Sequence, residues 1–95
     1  MTGTSRLAEL IDAHVSETWP ESVERGSEYG GVDLVMAGAD IVGIAMSLMP
    51  ARLRGEERAH LRTIAASLER VLDQLPTDAQ GYFLGLIEIA REAGR

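Results

Sequence analysis

The 95-residue chain contains no cysteine, no lysine and no asparagine. The absence of cysteine excludes disulfides, thiolate metal sites and a cysteine nucleophile. All nine basic residues are arginines, which we interpret as the codon bias of a GC-rich, bacterial genome. Aromatic side chains are also few, with one Trp, two Tyr and one Phe. The chain therefore lacks the basic, aromatic-rich surface that binds single-stranded nucleic acids.

Motifs of catalysis and export are missing as well. No serine lies in a strand–turn–helix elbow, and no glycine-rich phosphate loop is present, so the sequence favours a protein that is not an enzyme. We predict no cofactor. The first ten residues show no basic segment followed by an apolar run, which predicts a cytoplasmic location. The hydrophobic content of 45% and charged content of 25% are typical of a single globular domain, residues 1–95.

Charge is distributed unevenly along the chain. Residues 1–50 contain two Arg against eight Asp or Glu, a net charge of −6, whereas residues 51–95 contain seven of each. An acidic half does not attract nucleic acid, but it can steer a basic protein partner. The alternative is a solvated face without a partner. The candidate partner-binding residues are the acidic side chains of this half and the two aromatic residues of the loop after helix 1: Glu17, Trp19, Glu21, Glu24 and Tyr29.

The longest apolar run covers residues 32–49, interrupted by the polar side chains of Asp33, Asp40 and Ser47 alone. A membrane span of this length is opposed by the two carboxylates, each of which costs roughly 2.5–3.5 kcal/mol on insertion. We therefore predict no membrane association and a helix enclosed by neighbours. Gly38 and Gly43 give this helix a smooth side that suits close packing.

The pattern predicts an all-α fold: a compact four-helix bundle packed around the central apolar helix at about 32–49. Apolar residues at helical spacing place the other helices at 5–18, 56–75 and 77–93. Residues 20–31 are predicted to be a connection with at most one helical turn. Residues Thr77 to Gln80 match the capping-box pattern, which predicts the N-terminus of the fourth helix. Gly81 and Gly85 are expected to contact the Gly38 and Gly43 side of helix 2.

One pair of residues has metal-ligand spacing. Glu57 and His60 are three apart on the predicted third helix and share one face. The pair resembles half of a ferritin-like di-iron site, in which such pairs occur twice. The resemblance implies that a complete site would need a dimer and a further carboxylate such as Asp33 or Asp40. The alternative is a first-turn glutamate that stabilises the helix dipole.

The function predicted from these observations is a non-enzymatic protein–protein interaction module with an acidic N-terminal half. Its apolar second helix exceeds what three short neighbours cover, so a homodimer is expected. A small regulatory adaptor or an immunity- or antitoxin-like protein would have these properties. The alternatives are a dimeric metal-binding protein that uses Glu57 and His60, and a small-ligand binder with a groove lined by Met36, Met46 and Met49.

Overall fold

The computed structural model describes residues 2–47 and 55–94. The elements in chain order are α1 (Thr2–Val15), the antiparallel strands β1 (Glu28–Tyr29) and β2 (Val32–Asp33), α2 (Leu34–Ser47), α3 (Gly55–Val71), a 3-10 turn (Leu72–Gln74) and α4 (Thr77–Ala93). The predicted all-α bundle of four helices is confirmed. In the part of the chain that the structure describes, no helix is long and apolar enough to cross a membrane.

The first helix ends before the predicted boundary at Thr18. Glu17 donates its backbone N–H to the carbonyl of His14 at 3.0 Å, which tightens the chain into a final turn. The Ser16 hydroxyl donates to the carbonyl of Asp12 at 3.0 Å, so a side chain satisfies one of the last helical carbonyls. The helix stops there, and Trp19 is left in the loop that follows.

A β-hairpin replaces the irregular connection predicted before α2. Gly30 and Gly31 both have positive φ angles, +56° and +81°, which suits a two-residue turn between twisted strands. Tyr29 pairs with Val32 across this turn. The prediction that helix 2 starts at residue 32 is wrong, because residues 32 and 33 belong to the second strand. Arg70 fixes the turn to α3 by donating to the Gly30 carbonyl at 3.2 Å.

The boundaries of the later helices follow local hydrogen bonds. Asp33 caps α2, because its Oδ1 accepts the backbone N–H of Met36 at 3.1 Å. The predicted end of this helix at Met49 lies outside the described residues. The third helix ends at Val71, and the last residues predicted for it form the 3-10 turn.

The fourth helix begins at Thr77 as predicted, but not through a capping box. Pro76 occupies the N-cap position and supplies no side-chain cap. Gln80 instead donates through Nε2 to the carbonyl of Leu75 at 3.1 Å. The capping-box prediction is therefore wrong, because the chain enters the helix one residue earlier than the motif requires.

The most enclosed helix is α4, whereas the sequence pointed to α2. The last helix packs against α1, α2 and α3. Its fully buried side chains form one broad face of the helix: Ala79, Phe83, Leu86, Ile89 and Ala90. The second helix packs mainly against α3 and α4 and leaves Val35, Met36 and Met46 exposed. Position in the bundle, not apolar content, decides which helix is enclosed.

The predicted contact between the glycines of α2 and the glycines of α4 is not formed. A Cβ added at Gly38 would lie 3.3 Å from Cδ1 of Leu86, so α2 approaches α4 against a leucine. Gly85 faces α1 instead, because a Cβ there would lie 3.7 Å from Nδ1 of His14. A Cβ at Gly43 or Gly81 would meet no described atom within 4 Å. The two glycines of α4 therefore lie away from its contact with α2.

Candidate interaction surface

The loop after α1 is held by the single tryptophan. The indole Nε1 of Trp19 donates to the carbonyl of Val23 at 2.6 Å. Val23, 2% exposed, anchors the loop in the core, and its N–H donates to the carbonyl of Pro20 at 3.2 Å. The structure shows that the indole N–H is satisfied within the loop, which fixes the ring in place.

The tryptophan ring belongs to an aromatic cluster that joins α1, the loop and α4. Trp19 meets Tyr82 and Phe83 edge-on, with ring centroids 5.6 Å apart in both pairs. Tyr82 and Phe83 lie 5.0 Å apart, and the ring of His14 lies 4.5 Å from that of Tyr82. These separations fall in the favourable range for aromatic pairs. Phe83 is fully buried and the other rings lie nearer the surface, so the cluster runs from the core to solvent.

A guanidinium group already lies against this cluster. Cζ of Arg25 is 5.5 Å from the centroid of the Trp19 ring, within the range of a cation–π contact. The arrangement shows that a cation can approach the ring from the loop side.

Carboxylates surround the exposed aromatic rings. Two adjoining open grooves of about 580 and 500 Å³ share Glu17, Trp19, Glu21 and Tyr82 in their walls, and one of them also includes Asp78. We call this surface the acidic groove and define it by those five residues. Burial raises the pKa of the Tyr82 hydroxyl, as does the nearby carboxylate of Glu17, whereas Arg25 lowers it. The phenol therefore stays protonated at neutral pH.

The predicted partner-binding residues fall in two places. Glu17, Trp19 and Glu21 meet in the acidic groove, and Glu24 is exposed in the same loop. Tyr29 lies in β1, packs against the core and lines neither groove. The structure thus brings together three of the five residues.

Sequence reasoning missed the contribution of α4 to this surface. Tyr82 and Asp78 lie far from Trp19 in sequence, and they reach it because α1 and α4 pack against each other. No local pattern signals that contact.

His14 lies under the groove. The residue is 7% exposed, and its Nδ1 has no hydrogen-bond partner among the described residues. Burial lowers the pKa of the imidazole, and the carboxylate of Glu17 partly opposes that shift. The ring is therefore neutral at neutral pH and carries an unused buried acceptor or donor at Nδ1.

The predicted metal pair lies on α3, away from these grooves. Nε2 of His60 is 3.7 Å from Oδ2 of Asp40, and both side chains are about half exposed. Within residues 2–47 and 55–94, no three His, Asp or Glu side chains form a group that could hold a metal. Metal binding by Glu57 and His60 stays a prediction that needs ligands from a second copy.

Of the methionines predicted to line a ligand groove, Met46 lines a shallow groove of about 280 Å³ with Ala8, Ile11 and Asp12. Met36 lies ten residues earlier on α2, about 15 Å along the helix axis. Met49 lies outside the described residues. Small-ligand binding therefore stays a prediction.

Comparison with known proteins gives no relative for this chain. No family model, curated protein or solved structure matches it.

Proposed function

We propose that this protein is a non-enzymatic interaction module whose acidic groove binds a basic segment of a partner protein. A regulatory adaptor or an immunity- or antitoxin-like protein would act in this way, and a cytoplasmic place of action stays a prediction. The observation that carries the proposal is the joining of three carboxylates, Glu17, Glu21 and Asp78, around the exposed edges of Trp19 and Tyr82.

Charge supports a cationic partner. The two grooves are lined by three carboxylates, those of Glu17, Glu21 and Asp78, against the single cation of Arg25, and the whole chain has a net charge of −6. Complementary charge raises association rates and suppresses wrong partners. The aromatic rings add a preference for cations over neutral groups, as the contact between Arg25 and Trp19 illustrates. A segment with several Arg or Lys side chains fits both features.

The experiment uses the fluorescence of Trp19 to report peptide binding, since Trp19 is the single tryptophan of the chain. Hexalysine and hexaarginine peptides are titrated at low salt while the tryptophan fluorescence is followed, with hexaglutamate as the negative control. We expect saturable binding of both basic peptides that weakens as salt is added. Unchanged fluorescence and no binding by calorimetry would overturn the proposal.

Two variants of equal net charge distinguish peptide binding at the acidic groove from general attraction to the charge of the protein. Reversal of Glu17, Glu21 and Glu24 to Lys should weaken binding by roughly tenfold or more, since each surface ion pair contributes about 0.2–1 kcal/mol. Reversal of Glu9, Asp12 and Asp73 to Lys changes the net charge equally at exposed positions elsewhere. That control should retain most of the affinity. Equal losses in the two variants would mean that binding is non-specific.

A homodimer is our second proposal, and α2 provides its surface. Met36, Ala39, Gly43 and Met46 are all exposed and follow one another at spacings of three and four residues. We call these four residues the α2 stripe. It carries no charged side chain, and two copies of α2 packed antiparallel would place each Met36 beside the other copy's Met46. Ala39 would then meet Gly43, so the backbones could approach closely, as a two-fold symmetric interface requires.

Sedimentation mass measurement tests the dimer. We expect a dimer for the wild-type protein and a monomer for Ala39→Glu, which places a carboxylate in the stripe. Ala66→Glu introduces the same charge at an exposed position of α3 and should remain dimeric. A monomeric wild-type protein at high concentration, or a dimeric Ala39→Glu variant, would contradict this proposal.

A further inference from the structure

The charged side chains along the acidic groove are not paired with one another. Arg25 lines the larger of the two adjoining grooves together with Glu17 and Glu21, and Asp78 lines the smaller one. In the part of the chain that the structure describes, none of these four side chains forms an ion pair or a hydrogen bond. The surface therefore presents three carboxylates whose charge is not met by its own arginine.

The guanidinium of Arg25 lies on the tryptophan ring instead. Its Cζ is 5.5 Å from the ring centroid of Trp19, within the range of a cation–π contact. Arg25 is exposed, and no hydrogen bond or ion pair to another described residue holds its side chain. Cation–π contacts at exposed positions are weak. The guanidinium can therefore leave the ring at a small cost in free energy.

The ring beneath this guanidinium is held in place by the loop and by α4. The indole N–H of Trp19 donates to the carbonyl of Val23 at 2.6 Å. Tyr82 and Phe83 of α4 meet the ring edge-on, both at centroid distances of 5.6 Å. A ring fixed in this way loses little conformational entropy when a ligand binds. Once Arg25 leaves, its side of the ring is a preformed surface for a cation, open to the groove that both residues line.

We propose that the partner's basic segment places an arginine side chain on the Trp19 ring, where Arg25 lies in the free protein; this inference rests on the proposed function. A guanidinium suits the position better than an ammonium, because its planar group stacks on aromatic rings and is less strongly hydrated. Arg25 itself shows that a guanidinium fits there. The partner has the advantage, because neighbouring basic side chains of its segment reach the carboxylates that Arg25 leaves unpaired. Arg25 is therefore an internal competitor that the partner displaces.

The first experiment compares two peptides of equal length and charge. Hexaarginine and hexalysine are titrated into the wild-type protein by calorimetry at the same ionic strength. Attraction to the carboxylates is common to both peptides, whereas stacking on the ring favours arginine. We expect hexaarginine to bind roughly two- to fivefold more tightly than hexalysine.

Two arginine variants test the competition. Arg25→Gln removes the internal competitor and should raise the affinity for hexaarginine by roughly two- to fivefold beyond the effect of the lost charge. Arg6→Gln gives the same net charge and serves as the matched control, because Arg6 is exposed on α1 and lines neither groove. Its gain in affinity should be smaller. Both positions are exposed, so both variants should fold.

Proton resonances of the Arg25 side chain report the displacement directly. In the free protein the ring current of Trp19 should shift the Arg25 methylene protons upfield, because the guanidinium lies over the ring. Saturation with hexaarginine should return them to the positions of a solvent-exposed arginine. The protein carries the isotope label and the peptide does not, so the signals of the two arginines are not confused.

The outcomes separate this inference from the proposed function. Equal affinity for the two peptides, equal gains in Arg25→Gln and Arg6→Gln, or Arg25 protons that stay shifted at saturating hexaarginine would overturn it. The acidic groove would still be supported if both peptides bound and reversal of Glu17, Glu21 and Glu24 abolished that binding. Failure of the wild-type protein to bind either peptide would overturn both.

Discussion

The second and fourth helices show that apolar composition and enclosure are different properties. Within α2 the polar side chains are those of Asp40 and Ser47, yet the α2 stripe is open to solvent. The fourth helix carries several charged residues but buries Phe83, Leu86 and Ile89 completely. The difference follows from position, since α4 contacts three helices and α2 packs mainly against two. The face that α2 leaves uncovered is apolar, whereas the face that α4 leaves uncovered carries polar side chains such as those of Asp78 and Glu88.

The largest difference in unfolding free energy is expected between truncation of a core side chain of α4 and truncation of an exposed side chain of α2. Phe83→Ala should lower the free energy of unfolding by about 3–5 kcal/mol, because the ring is fully buried in the aromatic cluster. Met36→Ala, at a side chain 60% exposed, should change that of the monomer by less than about 0.5 kcal/mol. Denaturant unfolding measures both. Similar losses would show that α2 is as enclosed as α4.

The N-termini of the same two helices differ in capping. Asp33→Ala removes the carboxylate that accepts the Met36 N–H and should cost about 1 kcal/mol of unfolding free energy. Thr77→Ala should cost much less, because α4 begins at Thr77 and its N-cap residue, Pro76, supplies no side-chain cap. Thermal or urea unfolding of the two variants checks the comparison. A larger loss for Thr77→Ala would restore the capping box that the structure excludes.

The two glycines of α2 distinguish its inner and outer faces. Gly43→Ala should raise the unfolding free energy of the monomer by about 0.5–1 kcal/mol, because alanine favours the helix and the added methyl group meets no described atom of the same copy. Gly38→Ala should gain less or lose stability, since its Cβ would lie 3.3 Å from Leu86 Cδ1. Unfolding in urea measures both variants. Equal gains would mean that the inner face is loosely packed.

A smaller effect on the free energy of unfolding is expected from pH, through the titration of His14 at the contact between α1 and α4. Burial lowers the pKa of His14 below its ordinary value of 6.5, so the unfolded chain binds a proton more readily than the folded protein. The free energy of unfolding should therefore fall as pH decreases through about 6.5 towards the lower folded-state pKa. Unfolding series at several pH values measure this slope, and His14→Phe should reduce it. An unchanged slope in that variant would assign the pH dependence to other groups.

Local patterns predicted much of the helical architecture. The spacing of leucines in α3 and the position of Pro76 before α4 located both helices to within a few residues. The hairpin was missed even though Gly30 and Gly31 stand between residues that can form strands, a recognised turn signal. Its flanking strands are only two residues long, so they show too little alternation to be read as strands.

The candidate site could be predicted only in part. Glu17, Trp19 and Glu21 are near one another in sequence, so composition and charge were enough to group them. Tyr82 and Asp78 join them through the packing of α1 on α4, which depends on the whole bundle. The unpartnered nitrogen of His14 has the same origin, because its surroundings include residues of both helices.

Amide chemical shifts on addition of hexalysine report the acidic groove and the α2 stripe in one spectrum. If the peptide binds in the acidic groove, the largest changes occur at residues 17–25 and 78–85, with little change between residues 36 and 46. Changes confined to the α2 stripe, or none at saturating peptide, would contradict binding in the groove.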